Sequence, residues 1–177
     1  MTSPAPILVG NIGNLFWMRV DGKGSFQNSV QVKRCFQTMI EKGTRHFVVD
    51  LERCHIMDST FLGTLTGAAL NLRELGDGEV CILNANARNQ QLLSSLGLDH
   101  ILEVDNEGSR HQSERRQVCD ELGKCKENAQ PDKVEQAEHV LEAHEALTRA
   151  NEANASRFKD VIEFLEKEVR SRAVAVA

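Results

Sequence analysis

The apolar positions of this chain fall into short continuous runs that alternate with stretches of three- and four-residue spacing. The clearest example spans residues 46–72. His46-Phe47-Val48-Val49-Asp50-Leu51 is rich in β-branched residues, the pattern of a strand buried on both faces. After Cys54-His55-Ile56-Met57-Asp58 the period changes, and Phe61, Leu62, Leu65, Ala68, Ala69 and Leu72 recur at helical spacing. The segment reads as strand, short loop and helix, hinged at Asp58-Ser59. Ser59 is placed as the helix N-cap, its hydroxyl accepting from an otherwise unpaired backbone N–H of the first turn.

The flanking pattern extends this alternation. Ile7-Leu8-Val9-Gly10 and Leu15-Phe16-Trp17-Met18-Arg19-Val20 are separated by Asn11-Ile12-Gly13-Asn14, so the pair reads as a β-hairpin. The loop from Asp21 to Ser25 breaks the second strand, and a helix is expected from Asn28 or Ser29 to Gly43. The central helix closes at Leu75-Gly76. Val80 to Asn84 is a third buried strand, Arg88 to Leu96 a helix, and Ile101 to Val104 a last short strand. Strands alternating with helices require parallel pairing over part of the sheet.

Beyond residue 106 the pattern changes again. Residues 107–114 are polar and without periodicity, and read as a linker. From 115 to 177 there is no strand signal. Arg115 to Lys126 is read as a short helix, and a three-four alternation runs from Val134 through Ala137, Leu141, His144, Phe158, Ile162 and Leu165 to Val169. Two readings of that alternation stand: one long helix of coiled-coil type, or a helical hairpin broken at residues 150–154 and recapped at Asn154 or Ser156. The polar or small seam from His144 to Ala155 favours the hairpin. The fold class is therefore α/β: a small sandwich of a mixed β-sheet with helices over residues 1–106, followed by an all-α extension.

Composition narrows the function classes. With 177 residues, 41% hydrophobic and 27% charged, the chain has the make-up of a globular protein large enough for its own core. A net charge of −5 gives no footprint for nucleic acid or an anionic membrane. No run approaches the roughly 20 apolar residues that cross a bilayer. Met1 to Pro6 has neither a basic start nor a long apolar stretch, so a secretory signal is not expected. Five scattered cysteines, Cys35, Cys54, Cys81, Cys119 and Cys125, then read as reduced thiols, and the expected location is the cytoplasm.

Candidate chemistry is sparse. Gly22 and Gly24 lack the Gly-Lys-Ser/Thr of a phosphate-binding loop and read as a plain loop that aims the first helix. Cys54, His55, Cys119, Cys125, His139 and His144 show no metal-ligand spacing, so no metal or other cofactor is expected. Ser59 with His55 suggests a nucleophile and base, but no Gly-x-Ser-x-Gly elbow surrounds them, and an enzyme is not expected. His144, with Leu141 and Leu147 nearby, reads as a packing or interfacial residue.

The order of an apolar strand ending Asp50-Leu51, then Met57-Asp58-Ser59-Thr60, one residue, Leu62-Gly63 and an apolar helix resembles the STAS domain of bacterial anti-sigma factor antagonists. The agreement follows the pattern of residues 1–106, with Phe61 standing where the family often has glycine. The resemblance implies a non-enzymatic regulator whose phosphoacceptor is Ser59. Unphosphorylated, it would bind an anti-sigma factor that is also a serine protein kinase, freeing a sigma factor for transcription, and a serine phosphatase would restore it. The expected partner surface comprises Asp21, Gly24, Ser25, Met57, Asp58, Thr60 and Phe61 with the exposed face of the following helix. A scaffold or sensory module is the alternative, acting or self-associating through the extension.

Overall fold

The computed structural model describes residues 6–118, 122–127 and 130–176. Its centre is a six-stranded mixed sheet built from β1 (Ile7–Ile12), β2 (Leu15–Val20), β4 (His46–Asp50), β6 (Glu79–Leu83), β7 (Glu103–Asp105) and β8 (Gly123–Lys124), in the order β7-β6-β4-β2-β1-β8. β1 and β2 form the expected antiparallel hairpin, while β2, β4, β6 and β7 pair in parallel. Continuous apolar runs were to be expected of strands covered on both sides, and both sides are covered. Phe16, Met18, Phe47, Val49 and Ile82 meet the helices α1 (Phe26–Glu41), α2 (Ser59–Glu74) and α3 (Ala87–Ser95). On the other face Trp17, Val48, Cys81 and Leu83 form a second cluster under Val118, with Leu122 beside it.

That second cover corrects the sequence reading of residues 107–126. The stretch read as a linker runs into α4 (Gln112–Val118), and β8 adds itself antiparallel to the edge strand β1. Asp105 organises the approach: its carboxylate accepts from the backbone N–H groups of Glu107, Gly108 and Arg110 and lies 3.6 Å from the Arg115 guanidinium. These bonds hold the Asp105 carboxyl below the ordinary aspartate range against the opposing effect of burial. A strand signal was missing because Gly123-Lys124 pairs through its backbone alone. Likewise Gly22–Gly24, read as a plain loop, forms β3, paired in parallel with β5 (Cys54–Met57) as a separate two-stranded sheet.

The extension is a helical hairpin. α5 (Lys133–Ala150) runs to a break at Asn151, whose side chain accepts from the Ala153 N–H, and α6 (Ala153–Arg157) leads into α7 (Lys159–Val176). Asn151 is thus the C-cap of α5, and the next helix starts behind Glu152, ahead of the expected Asn154 or Ser156. Asn154 is buried and donates its amide to the carbonyls of Leu96 and Leu147, tying the corner to the first domain. The His144 ring meets Phe158 edge-on, and Leu165 is buried between the arms. α5 lies along α2. A Cβ on Gly63 would overlap the Ala143 carbonyl, so the two backbones touch. Cys35, Cys54, Cys81 and Cys125 are free and buried; Cys119 lies outside the described residues.

Candidate functional site

The two-stranded β3–β5 sheet delivers the chain to two helix starts at once. β3 ends at Gly24, and Ser25 caps α1: its hydroxyl accepts from the Gln27 N–H at 3.3 Å while the Asn28 side chain accepts from the Ser25 N–H at 2.9 Å. β5 ends at Met57, and the next residue caps α2. The Asp58 N–H donates to the Gly24 carbonyl at 2.9 Å, locking the two strand ends together.

Asp58, rather than Ser59, is the N-cap. Its Oδ1 accepts from the Phe61 N–H at 2.9 Å and its Oδ2 from the Phe26 N–H at 2.8 Å. One carboxylate therefore satisfies an orphan donor of each helix and complements the positive ends of both dipoles. Ser59 is displaced by one residue into the first helical position, which frees its hydroxyl for a tertiary partner. That partner is His144 of α5: Ser59 Oγ and His144 Nε2 are 3.0 Å apart, and His144 Nδ1 donates to the Val140 carbonyl at 2.8 Å. Because a carbonyl can only accept, the neutral ring carries its proton on Nδ1 and Nε2 accepts from the serine hydroxyl.

A second histidine fixes the same interface. His139 Nε2 lies 2.9 Å from Ser29 Oγ on α1 and 3.2 Å from Thr64 Oγ1 on α2. Ser29 spends its proton on the Phe26 carbonyl and Thr64 on that of Thr60, so both hydroxyls accept from His139 Nε2–H. Burial, helped by the nearby Lys33 charge, pushes the His139 pKa down to about 4. The imidazole is thus neutral at neutral pH. Around it Lys33 pairs with Glu142 and Arg34 with Glu135. Behind the contact, a cavity of about 430 Å³ opens between α1, α2 and α5, with Phe36, Ile40 and Ala68 among its walls.

The residues expected as a contact surface are brought together, but mostly as packing. Gly24, Ser25, Met57, Thr60 and Phe61 are buried, whereas Asp21, Asp58 and Ser59 are half-buried. Phe61 is 0% exposed and its ring fills the space over Gly24, where an added Cβ would come within 2.8 Å of it. Its bulk therefore acts inside the junction and not on the surface. Asp21 is engaged by Arg19 at 2.7 Å. The face of α2 expected to be exposed is covered by α5. His55 is exposed, and the Ser59 hydroxyl meets His144 instead. The aromatic that does reach the surface beside Asp58 is Phe26, 49% exposed, which the periodicity had not singled out.

Among the described residues no group of three or more metal-capable side chains converges, and no helix is long and apolar enough to cross a membrane. No curated protein sequence matches the chain. Solved structures do share its fold. A Thermotoga maritima structure assigned as an anti-sigma factor antagonist superposes with a TM-score of 0.52 at 19% identity, covering 62% of this chain and 91% of that one. The anti-sigma factor antagonist SpoIIAA in its unphosphorylated form gives 0.52 at 18% identity over 63% and 95%. An anti-sigma factor antagonist from Mycobacterium paratuberculosis gives 0.52 at 14% over 60% and 89%. The STAS domain family matches residues 7–110, from the first residue of β1 to the loop that follows β7. This chain belongs to the STAS domain family.

Proposed function

We propose that the protein is a regulator of the anti-sigma factor antagonist type, controlled by phosphorylation of Ser59. The observation that carries this reading is the position of the Ser59 hydroxyl in the first turn of α2, next to the start of α1, with the intervening carboxylate already engaged by two backbone N–H groups. A phosphate there, of charge about −1.5 to −2, would meet the positive ends of two helices, so the sheet domain tolerates it. A partner burying the same spot would have to desolvate that dianion at a cost of several kcal/mol. Since each ~1.4 kcal/mol is tenfold in affinity, phosphorylation would control binding while leaving the fold of the sheet domain itself nearly untouched.

In this reading the unphosphorylated protein binds a cytoplasmic anti-sigma factor that is also a serine kinase, releasing a sigma factor; the kinase modifies Ser59 and a phosphatase reverses it. The chain itself performs no catalysis and needs no cofactor. Phosphopeptide mass spectrometry on protein from its native cells, grown with and without stress, tests this directly. Occupancy at Ser59 that changes with condition is expected; a well-covered peptide without phosphate in any condition would end the proposal.

One observation favours a second reading, self-association through the extension. On α7, Phe164 is 66% exposed and Val161 lies one turn before it at 41%. Light scattering on the intact chain and on Phe164→Glu separates the readings: a dimer abolished by the substitution would support the scaffold role.

A further inference from the structure

We infer that α5 is an internal blocker of the Ser59 site, and that partner access and phosphorylation require it to leave α2. The inference rests on the Ser59 reading above and adds its regulation. Three observations carry it. First, His144 Nε2 sits 3.0 Å from Ser59 Oγ and is itself only 4% exposed, so no phosphoryl group fits between them while the helix is seated. Second, backbone contact at Gly63 leaves no space for a partner element on this part of α2. Third, the contact has the make-up of a releasable one. The buried residues of α5 are Ala137, His139, Ala143, His144, Ala146 and Leu147, which include a single large apolar side chain. Its ion pairs to α1 are half exposed and contribute little in salt.

Closed and open arrangements then form a two-state equilibrium. A kinase or partner that acts only on the open one is slowed or weakened by the fraction open. The coupling is reciprocal. Transfer of the γ-phosphoryl group of ATP to Ser59 Oγ, with loss of the hydroxyl proton and release of ADP, places a dianion where His144 stood and holds α5 off.

The geometry offers a lock for the test. A Cβ on Gly67 would stand 3.7 Å from the Ala146 Cβ, the separation found in disulfides. In the full chain carrying Gly67→Cys and Ala146→Cys, the oxidant diamide takes up the two electrons and two protons as the S–S bond forms, and a phosphine reductant reopens it. Wild type, oxidised and reduced variant are incubated with magnesium ATP and an extract of the native cells, and phosphate on Ser59 is counted by mass spectrometry. Phosphate incorporation is expected to be lower by about tenfold or more in the oxidised variant, to recover on reduction, and to be unchanged by either reagent in wild type. Conversely, Ala146→Arg, which drives a long side chain into the Gly67 seam, should raise incorporation above wild type. Equal incorporation in locked and reduced protein overturns the blocker while sparing the Ser59 reading. No incorporation into wild type or any variant overturns both.

Discussion

At the scale of single residues the junction depends on Asp58 and Gly24. The Asp58 carboxylate accepts from both the Phe26 and the Phe61 N–H, so its loss removes a partner from a donor at each helix start. Losing one cap costs about 1 kcal/mol, and Asp58→Ala is expected to cost about 2 kcal/mol, measured as a lower denaturation midpoint at unchanged slope. Asp58→Asn should recover part of that loss, because an amide oxygen still accepts one bond but its nitrogen cannot accept the other. Gly24 is constrained by a side chain and not by its own backbone. A methyl group there would meet the Phe61 ring at 2.8 Å, and the ring is fully enclosed. Gly24→Ala is therefore expected to destabilise by about 1–3 kcal/mol through overpacking, and Gly24→Ala combined with Phe61→Leu to recover most of it in the same melts.

At the scale of elements, the interface between α5 and the sheet domain carries its own pH dependence. His139 is neutral when α5 is seated and has a pKa near 4, against about 6.5 when exposed. While the histidine is neutral in both states its lowered pKa costs docking nothing, so docking is at full strength above pH 6.5. It weakens as pH falls from 6.5 towards 4, because the released form then binds more protons. The whole shift is worth on the order of 3 kcal/mol. The facing charges are Lys33, which opposes protonation, and Glu135 and Glu142, which favour it. Amide hydrogen exchange of residues 133–150, corrected for intrinsic rates, should therefore accelerate between pH 7 and pH 5. His139→Gln keeps an N–H donor and does not titrate, so it should flatten that profile. An identical acceleration in His139→Gln would show that His139 is not the group responsible.

The same scale explains what could be read from the chain beforehand. The strands β2, β4 and β6 were legible because Trp17, Val48 and Cys81 face one cover while Met18, Val49 and Ile82 face the other, which leaves an unbroken apolar run. β3 and β8 were not legible, since Gly22–Gly24 and Gly123–Lys124 present almost no side chain on which a period could register. Ser59 was expected to be the cap, yet Asp58 before it takes that place, since its carboxylate accepts from the first turn as well. The same carboxylate also accepts from the Phe26 N–H, 32 residues away, a bond that no local pattern shows. His144 was visible as a histidine on an apolar helix face, but its bond to a serine 85 residues earlier is a product of the tertiary fold.

At the scale of the whole molecule, the two covers of the sheet domain are unequal, and that inequality decides where the chain can be divided. The family match ends at residue 110, yet the outer face of the sheet is closed by Val118 of α4, with Leu122 beside it. Removing α4 and β8 would uncover Trp17, Val48, Cys81 and Leu83, at about 1.5–3 kcal/mol for each large apolar side chain, and would strip β1 of its edge partner. It would also leave Asp105 without Arg115. Removing α5 to α7 exposes a more mixed surface: Ser59, Gly63, Thr64 and Gly67, which water can solvate, beside the apolar Phe36, Ile40 and Ala68, and it takes Leu147 out of the core, while Leu62, Leu65 and Leu72 stay in it. A chain ending at residue 130 is therefore expected to stay soluble and to melt cooperatively, whereas a chain ending at residue 110 should bind a hydrophobic dye and aggregate. Thermal melts with dye binding on the two truncations check this. Cooperative melting of the shorter chain would mean that α4 is dispensable. Aggregation of the longer one would mean that α5 belongs to the obligatory core, which would leave it no freedom to uncover Ser59.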